Sequence, residues 1–479
     1  MVVEGWLERA AATHPARTAI ETPQGNRSYR ELLADACAGA AELAGRGAGP
    51  GDRVAIALVP GLAFAQALHA CLLLGAVAVP VDLRLSASER ERIAAGAVVL
   101  VEDALLDGLA SPAVGAGAEV APNTSQESPV PRQDLEPPVA GHDLDATAVV
   151  IHTSGTTSAP RPIELTYGNF LWSALGSAVA LGLDPQERWL CALPLSHVGG
   201  LSILLRSAIY GTTAVIHERF DTELVLRALR EQQITLVSLV ATTLTRLLDA
   251  GLEHPPALRC ALTGGGPVPA MLLERAHDAG VPVSQTYGLT ESCSQATTTP
   301  VAAIEEGWAG IKVNGERTES PDGLGWAGTP IFCTRLRIAA DGEIQLAGPT
   351  VAPAGRDADG WLHTGDLGSI QAGSLRVTGR ASDTIVSGGE NVAPTEIEAV
   401  LEAHPDVLEA AVIGRPDPQW GEAITAVVVA RPGSELHEEP LREYCAASLA
   451  AYKVPKRIVL DDQPLPRTRS GKLLRRELT

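Results

Sequence analysis

Five short segments carry residues whose types and spacing suit phosphate and sugar chemistry. Thr153-Ser154-Gly155-Thr156-Thr157 directly follows the apolar run around Val149-Val150-Ile151. A strand feeding a small, hydroxyl-rich turn can offer backbone N–H groups and hydroxyls to phosphate oxygens. It is not a Walker A loop, because no G-x-x-x-x-G-K-[ST] pattern is present. Tyr287-Gly288-Leu289-Thr290-Glu291 sets a threonine beside a carboxylate, hard oxygen donors of the kind Mg²⁺ accepts. Upstream, Gly264-Gly265-Gly266-Pro267 is a turn in which backbone can approach a flat ligand, and Tyr287 could stack on a purine. Trp361-Leu362-His363-Thr364-Gly365-Asp366 fixes an aspartate after a Thr-Gly turn, where it can accept hydrogen bonds from both hydroxyls of a ribose. The stretch from Gly379 to Glu396 holds Arg380, Asp383 and Ser387-Gly388-Gly389-Glu390-Asn391. Near the end, Arg469-Ser470-Gly471-Lys472 places a lysine on a glycine-bearing loop.

The elements that must position these residues alternate. Apolar, β-rich runs at Val54–Val59, Ala76–Val79, Val149–His152, Trp189–Leu193, Thr213–His217, Leu236–Leu239, Cys260–Leu262 and Val281–Thr286 are separated by helical stretches such as Leu62–Leu74, Thr222–Gln232 and Ala270–Ala279. This predicts an α/β fold with mostly parallel sheets covered by helices. From Gly323 to Ala347 short strands and glycine turns predict antiparallel structure. After Gly379–Asp383 a compact α+β pattern follows: helix Thr395–Ala403, strands Val407–Ile413 and Ala423–Ala430, helix Leu441–Leu449, strand Arg457–Leu460. Residues 1–379 read as a large domain with a β-rich part at about 323–379, then a connection at 380–383 and a small domain at 384–479. Pro122–Pro138 reads as an exposed loop.

Bulk properties narrow the partners. The net charge of −20 repels nucleic acid and anionic membranes, so an anionic ligand must be held by local groups. Seven widely spaced cysteines with no C-x-x-C pair read as reduced, buried thiols of a cytoplasmic protein. No basic segment followed by an apolar run opens the sequence, so no signal peptide is expected. The longest apolar stretch, Leu62–Val81, is broken by Gln66, His69, Gly75 and Pro80, so no membrane insertion is expected.

Taken in order, the five segments resemble the adenylate-forming superfamily of acyl-CoA synthetases, adenylation domains and luciferases, over nearly the whole chain. The resemblance implies an acid–thiol ligase that uses ATP, Mg²⁺ and coenzyme A and passes through an acyl-adenylate. It implies a phosphate loop at Thr153, Ser154, Gly155, Thr156 and Thr157, and an adenine pocket at Gly264, Gly265, Gly266, Tyr287 and Gly288. Thr290 and Glu291 would contact the α-phosphate and the metal, with Asp366 and Arg380 on the ribose. Lys472 would be the catalytic lysine of adenylation, Ser382 the hinge, and Gly388, Gly389 and Glu390 the CoA path. One departure stands out: Ser158-Ala159-Pro160-Arg161-Pro162 replaces the usual Gly-x-Pro-Lys-Gly, keeping a cation but losing an N–H at Pro162.

The middle third, from Leu165-Thr166-Tyr167-Gly168-Asn169 through Phe220-Asp221, resembles more narrowly the o-succinylbenzoate–CoA ligases of menaquinone biosynthesis. That resemblance implies an acyl site at His197, Ser202, Arg206, Gly265 and Leu289. The acid has two carboxylates and only one reacts, so Arg206 is a candidate partner for the other, with structural ion pairing as its alternative. His197 is either a gate beside the acyl site or a packed turn histidine. Other aryl- or acyl-CoA ligases, and a stand-alone enzyme loading a carrier protein, stay open as alternatives, as does a homodimer.

Overall fold

Short aliphatic runs bounded by turns become the buried strands of two helix-covered sheets. In the first, Val283–Tyr287, Cys260–Thr263, Leu236–Leu239, Arg188–Cys191, Thr213–Ile216 and Thr18–Thr22 lie side by side, all parallel. Antiparallel strands close its edges, Gly25–Ser28 at one and Thr297–Thr298 and Thr329–Pro330 at the other. The second sheet runs Val99–Val101, Arg53–Ile56, Val77–Pro80, Thr147–Thr153, Arg161–Thr166, and only the last is antiparallel. Strands covered on both faces bury every residue, as Leu236–Leu239 and Cys260–Thr263 do, and so read as unbroken apolar runs. The computed structural model describes residues 1–106, 141–153, 161–302, 312–313, 316–317, 326–387, 390–467 and 473–478.

Helix Leu62–Leu74 is buried from Phe64 to Leu74 and stops at Gly75, whose φ of 72° lets its N–H reach the Cys71 and Leu72 carbonyls. The strands expected from the sequence all form, with ends displaced by a few residues. Within the β-rich part expected at about 323–379, Arg335–Ile338, Glu343–Ala347, Trp361–Gln371 and Ser374–Arg380 make one four-stranded antiparallel sheet. Two packed helices, Tyr167–Leu181 and Val198–Tyr210, occupy the segment expected to line the acyl site.

The C-terminal part has its own core, built on Ile397, Leu401, Val412, Ile424 and Val428. Strands Val407–Asp417 and Gly421–Ala430 form a long hairpin, Arg457–Asp461 pairs parallel to it, and helices Pro394–Glu402 and Glu438–Ser448 flank it. A small hairpin, Ile385–Ser387 with Glu390–Val392, joins its edge and had no clear sequence signal.

Candidate active site

The residues expected to meet the nucleotide lie where parallel strands end, the usual place for a ligand in an open α/β sheet. Gly264–Gly266 follows strand Cys260–Thr263, and Tyr287-Gly288 ends the neighbouring strand. Gly265 has a φ of 82°, which favours glycine, and Gly265 and Gly266 are exposed. A Cβ on Gly288 would lie 1.5 Å from the Ser294 carbonyl oxygen, so only glycine fits there. After Glu291 the chain turns through two non-glycine residues with positive φ, Cys293 at 54° and Ser294 at 86°. Such residues cost of order 1–3 kcal/mol each and tend to gather at functional sites.

Asp366, 6 % exposed, is brought to Tyr287 by the antiparallel sheet. The Tyr287 hydroxyl donates to Asp366 Oδ2 at 2.8 Å, and Arg380 Nε lies 2.9 Å from Oδ1. Burial, followed by the Asp366 charge, raises the Tyr287 phenol well above its ordinary pKa, so it stays a donor. These contacts fix the orientation of the carboxylate expected to meet a ribose. The Tyr287–Asp366 bond was not legible in the sequence.

Glu291 sits in a 3-10 turn, Thr290–Ser292, capped by the Ser292 hydroxyl, which accepts from the Leu289 N–H at 2.9 Å. A cavity of about 140 Å³ is lined by Arg161, Leu289, Glu291, Leu362, His363 and Thr364, among others. Arg161 thus faces the same space as the acidic residue. Its strand pairs antiparallel with Thr147–Thr153, Thr153 opposite Arg161 and His152 opposite Pro162. This is an edge strand, where the missing N–H of Pro162 is tolerated. The loop between, with Ser154, Gly155, Thr156 and Thr157, lies outside the described residues, as do Gly388, Gly389, Lys472 and the Pro122–Pro138 stretch. Among the described residues no group of three or more His, Cys, Asp or Glu could cage a metal. A single half-buried carboxylate fits Mg²⁺ that arrives with a triphosphate, since Mg²⁺ commonly takes one or two carboxylates plus phosphate oxygens and water.

His363 is a strand residue, 54 % exposed, with Nδ1 2.7 Å from Glu343 and Nε2 3.2 Å from Asp357. Hydrogen bonds to these two carboxylates, Glu343 first, raise its pKa. Glu343 also accepts from the Gly365 N–H at 3.0 Å, which pins the turn just before Asp366.

The residues expected to meet the acyl group lie on and around the two packed helices. Helix Tyr167–Leu181 starts with a reciprocal cap: Thr166 accepts from the Asn169 N–H, and Asn169 Oδ1 accepts from the Thr166 N–H. The same Asn169 amide donates to the Pro349 and Val351 carbonyls at 2.7 and 3.0 Å, joining the helix to the segment beside Glu291. Arg206 is 2 % exposed and donates to Ser173 Oγ at 3.0 Å, and Ser173 donates to the Cys293 carbonyl at 2.7 Å. Arg206 also lies 5.6 Å from the centre of the Trp189 ring. Burial lowers its pKa, and it has no carboxylate partner among the described residues. Its Nε and the hydroxyls of Ser202, Ser177 and Ser207 are buried without a hydrogen-bond partner among the described residues. His197 occupies the N-cap position of helix Val198–Tyr210 without a side-chain capping bond and contacts Arg84 Nη2 at 3.1 Å through Nε2. Burial is the main cause that lowers its pKa; Asp82 opposes the shift and Arg84 adds to it. A packed turn histidine would not stand 42 % exposed with one nitrogen held by a guanidinium.

Ser382 is exposed in the short turn Ala381–Asp383. Asp383 pairs with Arg475 Nη1 at 3.2 Å, and Arg475 grips the buried Glu398 at 2.7 Å. This ties the turn to the segment after Lys472, a link of 92 residues that no local pattern signals. Glu390 is exposed on strand Glu390–Val392.

The chain matches two family models, that of the AMP-binding enzyme over residues 7–354 and that of the AMP-binding enzyme C-terminal domain over residues 396–472. It is 38 % identical to 2-succinylbenzoate–CoA ligase of Bacillus licheniformis, over 99 % of this chain and 98 % of that protein. Among solved structures, o-succinylbenzoate CoA synthetase (MenE) of Bacillus subtilis in complex with its acyl-adenylate intermediate superposes with a TM-score of 0.84 at 35 % identity, covering 100 % of this chain and 98 % of that one. The same enzyme with ATP and magnesium gives 0.83 at 35 % identity and full coverage of both chains. Its double mutant bound with a product analogue gives only 0.68 at the same identity, covering 100 % of this chain and 98 % of that one. The chain therefore belongs to the AMP-binding enzyme family, the adenylate-forming superfamily whose motifs it carries in order from the phosphate loop to the late lysine.

Proposed function

We propose that this chain is an ATP-dependent 2-succinylbenzoate–CoA ligase, which forms o-succinylbenzoyl-CoA for menaquinone biosynthesis by way of the acyl-adenylate. The observation that carries the reading is the joining of nucleotide and acyl sides: Arg206 reaches the Cys293 carbonyl through Ser173, two residues past Glu291. Near-full-length likeness to relatives of that activity supports the choice of acid.

In the first half-reaction a carboxylate oxygen of the acid attacks the α-phosphorus of ATP, the P–O bond to pyrophosphate breaks, and pyrophosphate leaves. Both reactants are anionic, so charge must be offset where it builds. Arg161 and Lys472 supply cations, the Thr153–Thr157 turn supplies hydrogen-bond donors, and Thr290 contacts the α-phosphate. Glu291 would hold Mg²⁺, which neutralises phosphate charge when bound. Asp366 and Arg380 orient the ribose, with Gly264–Gly266 and Tyr287 around the adenine. Arg206 and Ser202 face the carboxylate that does not react, and His197, Gly265 and Leu289 complete the acyl site.

In the second half-reaction the CoA thiolate attacks the acyl carbonyl and AMP leaves. The Lys472 loop must then give way, and rotation of residues 384–479 about Ser382 would bring Gly388, Gly389 and Glu390 to the pantetheine path. The present arrangement suits adenylation, in line with its better match to the acyl-adenylate and ATP complexes than to the product-analogue complex.

Isotope exchange between ATP and pyrophosphate tests the reading. Exchange should appear on adding o-succinylbenzoate without CoA. Its absence with that acid, together with exchange supported by another acid, would reassign the substrate.

A further inference from the structure

Asp82 and Arg84 lie in the loop after strand Val77–Pro80 and belong to none of the family motifs identified in the sequence. Asp82 Oδ1 accepts from Arg84 Nε at 2.8 Å and from the Arg84 backbone N–H at 3.0 Å, and Oδ2 lies 2.6 Å from Nη2. The guanidinium is therefore held as a fork on one carboxylate. From that fixed position Nη2 reaches His197 Nε2 at 3.1 Å.

A guanidinium has donors and no acceptor. At this contact His197 Nε2 must accept, which leaves the ring proton on Nδ1. Asp82 Oδ2 lies 3.6 Å from the same nitrogen, beyond hydrogen-bonding reach, so the carboxylate does not compete for an Nε2 proton. The low basicity of the ring agrees with a neutral imidazole beside a cation. No described residue accepts from Nδ1, and the side chain is 42 % exposed.

We propose that Asp82 and Arg84 form a positioning pair that fixes His197 as an Nδ1–H donor, so that it hydrogen-bonds an oxygen of the acyl substrate and does not act as a base. This rests on the assignment of His197 to the acyl site. The pair's cost is a desolvated fork, and its benefit is a ring whose donor and acceptor sides cannot exchange. Preorganised donors of this kind typically contribute about 10²–10³ in rate when they meet developing or fixed negative charge.

Two measurements test it on the full-length enzyme. Long-range ¹H–¹⁵N spectra of histidine-labelled protein, with the signal assigned by its loss in His197→Asn, should show a neutral ring protonated at Nδ1. In Arg84→Met that preference should be lost. Kinetics with o-succinylbenzoate then separate two isosteres, because the Asn amide nitrogen overlays Nδ1 and the Gln amide nitrogen overlays Nε2. His197→Asn should keep kcat/KM for the acid within about tenfold, while His197→Gln should lose about 10²-fold. An Nε2–H ring in the unaltered enzyme, or a Gln variant as active as the Asn variant with both impaired, overturns the positioning pair while the acyl-site assignment stands. If the ring is Nδ1–H as stated but neither substitution changes kcat/KM for the acid, the acyl-site assignment fails and the donor role with it.

Discussion

The two sides of the cleft differ in how their polar groups are paired. On the nucleotide side Asp366 is engaged by Tyr287 and Arg380, Glu343 by His363 and Gly365, and Leu289 by Ser292. Among the residues assigned to the acid, Arg206 has no carboxylate partner among the described residues, and neither Arg206 Nε nor the Ser202 hydroxyl has a hydrogen-bond partner among them. A buried polar group left unpaired costs about 1–3 kcal/mol, so such groups are retained where a ligand answers them. The contrast teaches a division of labour. On the proposed reading, the residues assigned to the nucleotide are already oriented by protein partners, and Arg206 and Ser202 keep donors for the acid.

The comparison can be broken at several points, in descending order of effect. Lys472→Ala should lower acid-dependent ATP–pyrophosphate exchange by about 10²–10³-fold and leave thioester formation from supplied acyl-adenylate within a few-fold. Equal loss of both half-reactions would refute separate settings of the small domain. Glu291→Gln should lower exchange by about 10²-fold with any accepted acid, since it acts on the shared nucleotide. A defect confined to one acid would move Glu291 to the acyl side.

Arg206→Met should raise the KM for o-succinylbenzoate by about 10–100-fold, the value of a charged hydrogen bond, with the KM for ATP unchanged. Its Tm should not fall, because an apolar side chain replaces a buried charge without a counter-ion. A large drop in Tm with an unchanged KM would make Arg206 a structural residue. Tyr287→Phe removes one donor from Asp366 and should weaken AMP binding about three- to tenfold, measured by calorimetry. No change would mean that Arg380 alone orients the carboxylate.

Much of this was legible along the chain. Helix Leu62–Leu74 and strand Leu236–Leu239 were readable because buried elements are apolar throughout and stop at turn residues such as Gly75. Glu291 and Asp366 stood out because their neighbours read as turns, and Arg380 through the family resemblance. The rest depends on distant partners. Arg84 and His197 are 113 residues apart, and Tyr287 and Asp366 are 79 apart, so no window along the sequence contains either contact. Helix Tyr167–Leu181 was not identified along the sequence, and the cavity beside Glu291 required the antiparallel return of Arg161. Arg161 had read as a departure from the family pattern, yet it lines the same cavity as Glu291.

The most direct measurement is product analysis with purified enzyme, ATP, Mg²⁺, CoA and a set of acids. The account predicts o-succinylbenzoyl-CoA by mass spectrometry, one AMP for each thioester, and a kcat/KM for o-succinylbenzoate above that of benzoate by about 10² or more, since benzoate leaves Arg206 unanswered. Equal use of benzoate, or acyl transfer to a carrier protein with none to free CoA, would contradict it.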